Sequence, residues 1–72
     1  MKEKIEAKRA EMKEKYADVI NEIAVLNGVD LGVGFDMLLA ICRGGEYQGD
    51  IEIDTEELKK DYEELLALEV QL

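Results

Sequence analysis

The chain has 72 residues with nine Lys and Arg against eighteen Asp and Glu, a net charge of −9, and it contains one Cys and no His, Pro or Trp. So short a chain makes one domain and buries only about 60% of the surface its unfolded form exposes, while a lone thiol without imidazole excludes an internal disulfide and the common zinc sites. Ser is absent as well, so neither a Ser-His-Asp nor a Cys-His system can be assembled. The chain is therefore read as a non-enzyme with no cofactor and no metal site.

Residues 2–27 read as one long helix. Ile5, Met12, Val19 and Leu26 recur every seven residues, and Arg9, Tyr16 and Ile23 stand four beyond the first three. Together they make a 3-4 heptad stripe with no Gly or Pro to interrupt it. Asn27-Gly28 supplies the stop, because Gly takes the left-handed conformation at little steric cost. A helix of 26 residues is about 39 Å long, whereas a compact chain of this size is about 29 Å across. The charged residues 1–15, with six cations against four Glu, are therefore expected to protrude. Tyr16, Val19, Ile23 and Leu26 form the buried part of the stripe. Ile5, Arg9, Met12 and Tyr16 are the candidates for self-association.

All six glycines fall between residues 28 and 49. Inside this Gly-rich middle, Phe35 to Arg43 is apolar on nearly every face, the mark of a segment buried on all sides. It predicts a short central helix that starts near Leu31 to Gly34 and is ended by Gly44 and Gly45, with Leu38, Leu39 and Ile41 as core. Val29, Leu31 and Val33 alternate, which leaves a short strand before it as the other reading. Cys42 is expected in the core and Arg43 at the helix C-terminus. A phosphate-loop reading of Gly28, Gly32 and Gly34 fails, since the turn follows a helix and no Lys-Ser/Thr follows it.

Tyr47, Ile51 and Ile53 then alternate with Glu46, Gln48, Asp50, Glu52 and Asp54, which predicts a half-buried strand or an extended segment. Asp54 with Glu57 three residues on reads as a capping box opening a C-terminal helix, whose buried stripe is Leu58, Tyr62, Leu65, Leu66 and Leu72. Asp50, Glu52, Asp54, Glu56 and Asp61 imitate the spacing of a calcium loop, but Thr55 stands where that loop requires Gly and Asp61 where it requires Glu. The expected fold is mainly α: three helices, the first long, the central one short and buried, the last amphipathic, with a brief extended segment or strand between.

Residues 16–72 carry fourteen acids against Arg43, Lys59 and Lys60, a net charge of −11. A surface this negative repels nucleic acid and anionic lipid and steers cationic partners inward. No run approaches the roughly 20 apolar residues of a bilayer span, and the first residues form no signal-peptide core, so a cytoplasmic protein without membrane or direct nucleic-acid contacts is expected. The first functional expectation is an acidic inhibitor or regulator that occludes a basic, nucleic-acid-binding surface of a larger protein through Asp50, Glu52, Glu56, Glu63 and Glu64. Small acidic chains with irregular middles occur among phage inhibitors of host enzymes and defence systems, an analogy of composition. The alternatives are a self-assembling helical module, natural or designed, that works as a homodimer, and a small-ligand or divalent-metal binder built on the Gly-rich middle.

Overall fold

Apolar periodicity, two Asp N-caps and two glycine stops divide the chain into four helices: α1 (Lys2–Lys15), α2 (Ala17–Asn27), α3 (Leu31–Cys42) and α4 (Thr55–Val70). The computed structural model describes residues 2–71 and is mainly helical; among the described residues there is no strand. The fold class expected from sequence holds, but the long first helix is two. Tyr16, at φ −110° and ψ 26°, leaves the helical region between α1 and α2, although its N–H still donates to Met12 O and its carbonyl still accepts from Ile20 N–H. Tertiary packing bends it. A straight helix over residues 2–27 would be about 39 Å long, and the whole molecule measures 34 × 24 × 18 Å.

Residues 1–15 were expected to protrude; the bend instead lays α1 along α4, so that Ile5 and Met12 are buried within their own chain. Burying two such side chains contributes about 1.5–3 kcal/mol each, and both backbone hydrogen bonds of Tyr16 are kept at the break. Of the four residues expected to meet a second chain, Ile5, Met12 and Tyr16 are covered by this one. Arg9 is half-buried, with its guanidinium 5.0 Å above the Phe35 ring and 3.7 Å from Asp36. The bend also redirects the stripe. In α2 the buried residues are Val19, Ile20, Ile23 and Ala24, the face that meets α3, and Leu26 is left 61% exposed.

Gly28 (φ 64°) ends α2 as the sequence requires, with Val29 N–H donating back to Ala24 O and Gly28 N–H to Val25 O, a Schellman motif. Gly44 (φ 118°) and Gly45 N–H on Ala40 O close α3 in the same way. The Val29–Val33 alternation is no strand: Asp30 caps α3 by accepting from Val33 N–H at 2.8 Å, and Leu31 and Val33 are exposed on its first turn. Phe35, Leu38 and Leu39 are core, whereas Ile41 and Cys42 are only half-buried. Burial still pushes the Cys42 thiol up, against the pull of Arg43.

Gly34 lies where α2 and α3 approach most closely. A Cβ there would sit 2.9 Å from Ile20 O and 3.2 Å from the Ala24 Cβ, and neither backbone can yield alone. Gly34→Ala is therefore expected to destabilise the fold, since overpacking costs about 1–3 kcal/mol against a helix preference for Ala of about 1 kcal/mol. Urea denaturation would show a lowered midpoint, and a raised one would refute this packing.

Residues 45–54 form an extended strap rather than a strand. Its inward residues Tyr47, Ile51 and Ile53 pack on the core as the alternation predicts, but its backbone is held by side chains. Asp50 N–H donates to Glu22 Oε2 (3.1 Å), Ile51 N–H donates to Tyr47 Oη (3.3 Å), and the Tyr47 hydroxyl donates to the Glu22 carboxylate. That hydroxyl bond holds the Glu22 carboxyl below its ordinary range. Burial, with Glu22 adding to it, pushes the Tyr47 hydroxyl up to about 12. At the strap's end Asp54 caps α4 by accepting from Glu57 N–H at 3.1 Å. On α4, Leu58, Tyr62 and Leu65 are buried and Leu66 is 39% exposed; Leu72 lies outside the described residues.

Candidate functional site

Two charged residues occupy positions of the apolar stripes. Lys8 stands three residues after Ile5 and four before Met12 on the inner face of α1, and Asp61 stands between Leu58 and Leu65 on the inner face of α4; both are buried. The spacing was the available signal, because i+3 and i+4 positions share one helical face. Lys8 Nζ lies 2.9 Å from Asp61 Oδ1 and 2.7 Å from Glu64 Oε2, and Lys15 Nζ lies 3.0 Å from Asp61 Oδ2 and 2.5 Å from Glu57. The Tyr16 hydroxyl donates to Asp61 Oδ2 at 2.6 Å.

Burial pushes the Asp61 carboxyl up, but the hydroxyl of Tyr16 and the ammonium groups of Lys8 and Lys15 outweigh it and hold the group at about 2. Burial together with the Asp61 charge raises the Tyr16 hydroxyl, which stays protonated as a donor. Burial opposes the charge on Lys8, yet Glu64 and Asp61 more than compensate and its pKa is raised. Lys15 is raised by Glu57 and Asp61. The cluster is a static clamp: an ionised acceptor and three donors fix the bend at Tyr16 against α4. It also uses the carboxylate of Glu57, which turns to Lys15 instead of completing the capping box.

Around the clamp, two shallow depressions share Lys15, Asp54 and Glu57. One, of about 450 Å³, runs between α1 and α4, with Glu11, Glu56 and Glu64 on its walls. The other, of about 220 Å³, lies under the strap beside Asp18 and Glu52. Together they gather eight carboxylates (Glu11, Asp18, Glu52, Asp54, Glu56, Glu57, Asp61 and Glu64) against Lys8, Lys15 and Lys60, a local charge of −5. Two of those three lysines are spent on the clamp.

Of the five acids expected to bind a partner, Glu52, Glu56 and Glu64 line this seam, Asp50 sits on the neighbouring strap and Glu63 on α4. Among the described residues no cation lies within ion-pair reach of Asp18, Asp50, Glu52, Glu56 or Glu63. Glu64 differs from the expectation, because it is engaged by Lys8. The Gly-rich middle contributes a separate open groove of about 490 Å³ between α2, α3 and the strap, lined by Leu26, Met37, Ile41 and Tyr47. No group of three or more metal-ligating side chains exists among the described residues, and none of their helices is singly long and apolar enough to cross a membrane. Comparisons with protein-family models, with curated proteins and with solved structures returned no match.

Proposed function

We propose that this chain is a small acidic binding protein that inhibits or regulates a larger protein by occluding a basic, nucleic-acid-binding surface. The observation that carries this reading is the seam from Asp18 to Glu64, in which carboxylates from α1, α2, α4 and the strap adjoin and outnumber the lysines beside them eight to three. Asp18, Glu52 and Glu56 of that seam have no cation within ion-pair reach among the described residues, so the seam displays unpaired negative charge. A surface of predominantly negative charge steers an oppositely charged surface toward it and raises the encounter rate. Such a row of carboxylates competes for the sites that would hold phosphates. Solubility alone asks for a net charge of magnitude about 2–8, less than this chain carries.

The test compares the chain with a variant carrying Asp50→Asn, Glu52→Gln and Glu56→Gln, three exposed acids outside the clamp. Both are immobilised and offered extract of the native host at low ionic strength. The unmodified chain is expected to retain a basic protein that elutes as the Debye length shrinks from about 10 Å to about 3 Å, and the variant to lose most of it while keeping its helicity. Equal retention by both, at every salt concentration, would overturn the proposal.

A further inference from the structure

The bend at Tyr16 has no cause in the neighbouring sequence. Sharp kinks arise at Pro, at Gly or Ser pairs, or at inserted groups, and residues 12–20 contain no Gly, Pro or Ser. The backbone is helical on both sides. Rotating Tyr16 alone from φ −110°, ψ 26° to values near −63° and −42° would fuse α1 and α2 into one helix. That helix, about 39 Å long, is longer than the molecule's 34 Å long axis. α1 then stands off the body, exposing Ile5 and Met12 on one side and the α3–α4 face on the other.

Every contact that holds α1 down joins it to residues far along the chain. Lys8, Lys15 and Tyr16 meet Asp61 on α4; Arg9 meets Asp36, and Arg9 and Lys13 cover the Phe35 ring at 5.0 and 5.2 Å on α3. None of these contacts depends on both partners belonging to the same chain. A second copy offers the same α3–α4 face to an α1 that has swung out. We infer that Tyr16 is a hinge and that two copies of this chain pair by exchanging α1, each lying on the α3–α4 face of the other. The exchange repeats the contacts of the monomer, which makes it a low-cost route to a dimer, and it completes the helix over residues 2–27 that the sequence encodes.

Two charge-reversed chains test the exchange. One carries Lys8→Glu and Lys15→Glu, the other Asp61→Lys and Glu64→Lys, so each alone sets like charges against each other between its α1 and α4. Mixed, they restore opposite charges only across chains, and one of the two exchanged interfaces is native in every residue. Native mass spectrometry of the equimolar mixture is expected to show a heterodimer of twice the 8.1 kDa chain mass, at least tenfold enriched over either homodimer. The unmodified chain, refolded at millimolar concentration, is expected to contain the homodimer. A mixture that remains separate monomers, folded or unfolded, or an unmodified chain that stays monomeric after such refolding, overturns the exchange.

Discussion

Asp61→Ala is expected to cost about 3–5 kcal/mol, because removing one partner of a buried ion pair strands the other in a dry site. Lys8 would keep Glu64 and, at 3.8 Å, Glu11, both of them exposed, and the Tyr16 hydroxyl would lose its acceptor. Domains have about 5–15 kcal/mol in total, and a chain of this size belongs near the low end, so the variant should be largely unfolded at room temperature. Glu64→Ala removes an exposed partner of the same lysine and should change stability by about 1 kcal/mol or less. The Asp61 carboxylate also predicts an acid transition. Its pKa is lowered from 3.8 to about 2 by folding, so its contribution, on the order of 2 kcal/mol, is present in full above the unfolded value and is lost as pH falls through the folded one. Thermal melts at pH 7, 4 and 2 should show the loss between pH 4 and 2. A melting temperature for Asp61→Ala within a few degrees of the unmodified chain would refute the clamp.

Phe35→Ala should be equally damaging, at about 3–5 kcal/mol, with Leu38→Ala at about 2–5 kcal/mol. Both side chains are fully buried, and Phe35 sits where α3 meets α1 beneath Arg9 and Lys13. The cavity would open where α3 meets α1. Urea titration is expected to give a strongly lowered midpoint, and helicity retained at the unmodified chain's midpoint would show that α3 is not the centre of the core.

What was legible in the sequence is what local physics fixes. Gly28 and Asp54 set helix ends through backbone conformation and a side-chain cap, and the dense apolar run from Phe35 placed α3 in the core, whereas the Asp30 cap comes from the structure alone. Tyr16 was not legible as a break because nothing local causes it; burial of Ile5 and Met12 against α4 does. The strap's inward residues followed the alternation, which is common to a strand and an extended segment; Glu22 and Tyr47 meet its backbone from side chains, so it is the latter. The clamp was half-visible. Lys8 and Asp61 stand on apolar stripe positions, but only the fold of α1 onto α4 pairs them. Glu64 is exposed as its position on α4 predicts, and only the fold shows that Lys8 reaches it.

The acidic surface as a binding face is the central claim, and association kinetics with the captured basic partner test it most directly. Electrostatic complementarity acts chiefly on the on-rate, so stopped-flow mixing at ionic strengths from about 0.01 to 1 M, over which the Debye length falls from about 30 to 3 Å, separates steering from contact. For the unmodified chain the association rate should fall steeply with salt. For the variant carrying Asp50→Asn, Glu52→Gln and Glu56→Gln it should start about tenfold lower and depend only weakly on salt. Identical on-rates for the two chains across that whole range would contradict the claim.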